Sequence, residues 1–330
     1  MSDRRAEFDD RLIRSDPVGQ GPMKTILKTM KFNSGYVFLG LTSLMFGTFE
    51  VTSKLIHGLE AIQINCLRFC VGGLALLPFA LLEIRRRGIR FRLRDIAYLV
   101  FLGVLFVPVS MLLYQIALAE TTASLSVFIF SVNPVFIAVF ALVILKERAT
   151  RVIVTAIAIG VVGLAIIANP FTRNFNLYIL VGVAGVAIFG FYSVLMRPVT
   201  ARFGNLVTTT LVIVFGAMAL TAGLLIRGVP VFRGLNGQNI WPLLYLGVFC
   251  SGLTFVSYYK GMSLTSTNVG SIVFFFKPVI STILAVIVLR EVLTLRFLIG
   301  AGLIILGSVL MVYGREKEAT VTARESTDLR

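Results

Sequence analysis

The stretch FSVNPVFIAVFALVILKERAT, Phe130 to Thr150, recurs in altered form as FFFKPVISTILAVIVLREVLT, Phe274 to Thr294. A constant shift of 144 residues superposes the two without a gap. Pro134-Val135 falls on Pro278-Val279, Ala141 on Ala285, Leu145-Lys146-Glu147 on Leu289-Arg290-Glu291, and Thr150 on Thr294. The register extends outward to Tyr114 and Tyr258, Thr121 and Thr265, and Gly163 and Gly307, while Phe46-Gly47 meets Phe189-Gly190 after a slip of one residue. Single identities mean little in so apolar a chain. The ungapped spacing of proline, glutamate and threonine marks an internal repeat.

Each copy is also a predominantly apolar run. The whole chain shares that character: 57% of its 330 residues are apolar, 14% are charged, and the mean hydropathy is +0.91. A water-facing surface needs about a quarter of its residues charged. Runs of about 20 apolar residues cross a hydrocarbon core of about 30 Å, and lipid admits only helices or closed barrels. Leu99–Leu113 and Val207–Ile226 lack the two-residue alternation of barrel strands, so the expected class is an all-helical integral membrane protein. Ten transmembrane helices are predicted near 35–56, 62–84, 96–117, 122–145, 151–168, 177–196, 206–226, 240–261, 267–289 and 295–313.

With ten spans both termini share a side. That side carries 22 Lys and Arg residues, against five on the other (Arg173, Arg227, Arg233, Arg290 and Arg296). The positive-inside bias therefore places both termini in the cytoplasm of a cell (inner or plasma) membrane. The net charge of +15 sits in tails and short loops, which argues against nucleic acid as a partner. Residues 1–34 read as a disordered, basic cytoplasmic tail, and 314–330 as a second tail, also disordered. Cys66, Cys70 and Cys250 lie inside spans, with no neighbours spaced for a metal site. No metal or cofactor is expected.

Residues 35–168 form the first five-helix repeat and 169–313 the second. An odd number of crossings makes the second copy enter from the opposite face, so the repeats are inverted around a central cavity. Phe46-Gly47 followed by Lys54, Arg68-Phe69 in the second helix, and two Pro…Glu hairpins ending at Gly163 and Gly307 resemble the drug/metabolite transporter superfamily, in its ten-helix EamA branch. The resemblance implies a basket-like bundle and transport of small metabolites, often outward. Phe46 stands where that family often has Trp, and Glu50 where it usually has a neutral residue.

Charges inside spans carry most of the functional information, since each is costly at mid-membrane unless paired or hydrated. Glu50 and Arg68 sit at matched depth, about 9 Å inside the same face at 1.5 Å per residue, and are expected to pair. Lys54 follows Glu50 by four residues on one helix face. Lys277, beside Pro278 at mid-span, is expected to face the cavity, with its repeat mate Asn133 and the tyrosines Tyr114 and Tyr258 nearby. These seven are the candidate substrate or coupling residues. Pro134 and Pro278 are expected to bend their helices, as fixed kinks or as hinges. Glu147 and Glu291 are expected in tight turns, with Thr150 and Thr294 capping the helices that follow. Ala156, Gly163, Gly300 and Gly307 read as close helix packing.

Three cations against one carboxylate suggest a zwitterionic or anionic solute, such as an amino acid, with Glu50 as a candidate proton carrier. A secondary active transporter, an exporter or exchanger working as a monomer, is the expected function. The alternative within transport is proton-coupled efflux of drugs or cations. An intramembrane enzyme is disfavoured by the lack of HExxH, GxSxG or paired intramembrane aspartates. A sensor or receptor is disfavoured by short, polar tails.

Overall fold

The computed structural model describes residues 34–146, 150–169, 175–265 and 267–328. Among these the secondary structure is helical and no strand occurs. We label the helices by chain order. The first half holds α1 (Ser34–Gly47 continued by Phe49–Lys54), α2 (Ala61–Arg87), α3 (Leu93–Glu120), α4 (Ala123–Ile144) and α5 (Arg151–Ala168). The second holds α6 (Tyr178–Phe203), α7 (Asn205–Ile226), α8 (Ile240–Leu264), α9 (Thr267–Leu289) and α10 (Leu295–Asp328). Seven of them, α2 to α8, are long and apolar enough to cross a membrane, and α9 and α10 contain shorter apolar stretches at Phe275–Leu289 and Leu295–Met311.

The 144-residue register is visible in the backbone. Ala61 and Asn205, and Arg151 and Leu295, begin corresponding helices 144 residues apart, while Leu93 and Ile240 are offset by three. Lys146 and Arg290, also 144 apart, both adopt left-handed backbone, at φ 53° and 58°. That conformation is uncommon for residues other than glycine, so its recurrence at one register position marks the same turn built twice.

Local chemistry sets the helix limits. Thr122, Thr150 and Thr294 each accept a hydrogen bond from the backbone N–H three residues on, capping α4, α5 and α10. Helix α2 ends on Arg85, Arg86 and Arg87, which oppose the negative end of the helix dipole, and then on Gly88 at φ 59°. The chain after Gly314 continues α10 as helix to Asp328 rather than forming a disordered tail. Ala, Glu, Lys and Arg there are good helix formers, and no proline or further glycine interrupts them. The N-terminal tail and Glu147 lie outside the described residues.

Packing between the halves also comes in matched pairs. Contacts of α2 with α8 are mirrored by α7 with α3, those of α1 with α8 by α6 with α3, and those of α1 with α9 by α6 with α4. Helices α5 and α10, α4 and α9, and α2 and α7 meet their own mates. Along the α5–α10 seam the backbones approach closely: a side chain at Gly163 would stand 2.8 Å from the Gly300 carbonyl, and one at Gly307 2.9 Å from that of Ala156. The small-residue positions thus serve backbone approach.

Candidate functional site

Four local irregularities build the site. Helix α1 is interrupted at Thr48, and α4 at Val132, directly before Asn133-Pro134. Helix α3 widens into a π-helical segment over Leu105–Met111, around Pro108, and α8 does so over Tyr245–Leu253. Such widened turns leave helix hydrogen bonding open for other partners. The α8 segment grips the break in α1: the Tyr245 hydroxyl lies 2.8 Å from Thr48 Oγ1, and Cys250 Sγ donates to the Met45 carbonyl at 3.1 Å. On its other side α1 meets α9 through Gly47, where a Cβ would come within 2.6 Å of Ile280. Glu50, three residues past that contact, is held between α3 and α9.

Its carboxylate is fully buried and triply engaged. Lys277 Nζ lies 2.8 Å from Oε1, the Tyr114 hydroxyl donates to Oε1 at 2.9 Å, and Ser281 Oγ donates to Oε2 at 3.2 Å. Among the described residues this is the one ion pair with both side chains buried. The Lys277 ammonium also sits 4.3 Å from the Phe130 ring centroid and 5.8 Å from that of Phe49, favourable positions for a desolvated cation.

The expected Glu50–Arg68 pair does not form; Glu50 pairs with Lys277 instead. Equal depth fixed the height of both side chains but not their angle about each helix axis. Arg68 packs on Phe49 and Phe69 instead, its Cζ 4.7 Å from the first ring centroid and 4.1 Å from the second. Its Nη2 donates to Asn65 Oδ1 at 2.9 Å, its Nη1 reaches Ser251 Oγ at 3.5 Å, and its buried Nε has no partner. Asn65 in turn donates to the Val107 carbonyl at 3.0 Å. The two π segments, one from each half, thus converge on Asn65 and Arg68. Both cations lie close to the Phe49 ring, so the heads of Arg68 and Lys277 stand within about 11 Å of each other.

The other predicted residues divide. Tyr114 belongs to the cluster. Asn133 is buried on the element that carries Phe130, and its Oδ1 has no hydrogen-bond partner. Lys54 is not near Glu50's carboxylate: it caps the end of α3, donating to the Ala119 carbonyl at 2.8 Å. Tyr258 packs on Tyr259, about 10 Å along α8 from Ser251 at 1.5 Å per residue. Pro134 follows a helix break, whereas α9 runs through Pro278 uninterrupted. Glu291 does more than close a turn: its two oxygens accept the N–H groups of Ala123 and Ser124 at 2.6 and 3.1 Å, tying the second half to the start of α4. A cavity of about 190 Å³ lies beside that tie, lined by Ser124, Ile167, Thr294 and Phe297 among others.

Sequence reasoning missed Ser281, Phe49, Phe130 and Ser251. Ser281 had a signal, lying one helical turn after Lys277; Phe49 and Phe130 had none beyond their neighbours. Among the described residues no three His, Cys, Asp or Glu side chains gather as for a metal ion.

Residues 33–169 and 176–313 each match the EamA-like transporter family. The chain belongs to that family. Its EamA repeats coincide with the two halves seen in the backbone, and the fold is that of the drug/metabolite transporter superfamily. An "Uncharacterized transporter" of Clostridium kluyveri is 30% identical over 295 residues, covering 86% of this chain and 94% of its own length. Another "Uncharacterized transporter", from Archaeoglobus fulgidus, is 25% identical over 291 residues, covering 85% and 99%. A crystal structure 20% identical in sequence superposes with a TM-score of 0.59 over 84% of this chain and 98% of its own, a likeness of fold. The EamA chain described here is therefore a multi-pass membrane transporter.

Proposed function

We propose that this EamA protein is a secondary active transporter of small zwitterionic or anionic metabolites, amino acids among them, working by alternating access. The observation that carries the reading is the buried pair of Glu50 from the first repeat and Lys277 from the second, bonded at 2.8 Å. Intramembrane charge at a repeat interface is the usual mark of a substrate or ion path. The alternative, efflux of cationic drugs at Glu50, is weakened because both carboxylate oxygens are already occupied by donors of the protein itself.

The topology belongs to the same proposal: ten crossings in a plasma membrane, two inverted repeats, cytoplasmic termini, and one chain as the working unit. The exchange of helix contacts between halves supports a two-fold relation. Five crossings per half then put its axis in the membrane plane.

Purified protein in liposomes should exchange labelled amino acids or organic anions across the bilayer, and no flux of any solute would refute transport. For topology, a cysteine at Asn176 should react with an impermeant thiol reagent from outside intact cells. Reaction only after permeabilisation would overturn the orientation.

A further inference from the structure

The ionised groups of the site do not balance. Glu50 and Lys277 neutralise each other. Arg68, 4% exposed, has no carboxylate within 4.0 Å, and its hydrogen bonds go to the neutral side chains of Asn65 and Ser251. Its Nε–H is buried and unpartnered. Phe49 and Phe69 cover the guanidinium and offset part of its desolvation, but a buried charge is stabilised chiefly by a counter-charge. The site as described therefore holds one uncompensated positive charge.

Resting on the transport reading above, we infer that the cargo is a monocarboxylate carrying one net negative charge, bound at Arg68 and moved without a proton. A carboxylate accepts charge-assisted hydrogen bonds from a guanidinium, and here the Nε–H is the donor left without a partner. A zwitterion's ammonium would need an acceptor of its own. The one carboxylate at the cluster already receives Lys277, Tyr114 and Ser281 on its two oxygens. Lys277 supplies that carboxylate's counter-charge from within the protein.

The charge has an energetic consequence. The loaded site is neutral, while the empty site returns with one positive charge. A cell-interior negative potential draws that empty site inward and so expels the anion.

The test uses full-length protein in liposomes clamped at 100 mV, interior negative, by potassium and valinomycin. Matched labelled pairs share a body and differ at one group: pyruvate and alanine, 4-methyl-2-oxopentanoate and leucine, phenylpyruvate and phenylalanine. At least one oxo acid should reach an outside-to-inside ratio of roughly 50 at equilibrium, the value for one charge, independent of a pH gradient. Arg68→Lys should keep oxo acid preferred over its amino acid partner, and Arg68→Gln should lose that preference. A structural role for Arg68 would lower both members alike. Exchange of the amino acids with no effect of potential would overturn the inference and leave transport standing. A ratio set by the pH gradient, or no potential-dependent distribution of any oxo acid, would overturn it as well.

Discussion

The cluster around Glu50 has a counterpart in the other half, and the two differ sharply. Gly47 packs on Ile280 as Gly190 packs on Phe136, so the position matching Glu50 is Ser193. Ser193 turns its hydroxyl back to the Phe189 carbonyl of its own helix, at 2.7 Å. Lys277 is matched by Asn133, Tyr114 by Tyr258, and Arg68 by Val212. One side thus holds a carboxylate, an ammonium and a guanidinium; the other holds no ionised group at these positions. The frame is nearly symmetric while the chemistry is not. Helix packing constrains size and shape, which both copies must keep for the halves to fit. Charges are under no such constraint, and a second buried set would add desolvation cost.

The most severe way to break the comparison is to strand one partner of the ion pair. Lys277→Met leaves Glu50 buried without its counter-charge, and such losses cost about 3–5 kcal/mol. Thermal unfolding in detergent should show it, with flux abolished. Glu50→Gln combined with Lys277→Gln should recover most of the stability, since no charge is left unpaired. The corresponding Asn133→Leu should cost far less. Equal losses on the two sides would mean that the pair serves packing alone.

A smaller effect should be shared by both sides. A methyl at Gly47 or Gly190 would come within 2.6 and 2.7 Å of the facing helix, and overpacking of this kind costs about 1–3 kcal/mol. Gly47→Ala and Gly190→Ala should lower the unfolding midpoint similarly. Gly47→Ala should also raise the KM for transport, because it pushes on the α9 turn that carries Lys277. Equal KM effects would remove the functional asymmetry.

The smallest effect should be symmetric. Thr150→Ala and Thr294→Ala each remove one helix cap, worth about 1 kcal/mol, and both should leave the charge selectivity of flux unchanged. A change in selectivity from either would place the α4–α5 or α9–α10 turn in the substrate path.

What the sequence made legible was whatever is local or periodic. The Pro-x12-Glu-x2-Thr spacing gave the repeat, the threonines gave their caps, and Ala156, Gly163, Gly300 and Gly307 gave a packing seam. Membrane depth was readable too, since helical rise is fixed, and Glu50, Arg68 and Lys277 do come within one small region. The choice of partner was not readable. It depends on rotation about each helix axis, and the break at Thr48 is held by contacts with α8 that lie 197 and 205 residues distant in the chain. The tie from Glu291 to the start of α4 was hidden for the same reason: its two ends lie 168 and 167 residues apart.

The α5–α10 seam bears on motion. Two backbones that approach so closely over several turns cannot slide or part without losing a long line of tight contact. The last helices of the two halves therefore travel as one strut. Any rocking of this protein must divide it along a line other than the junction between its two sequence copies, with each mobile body recruiting helices from both.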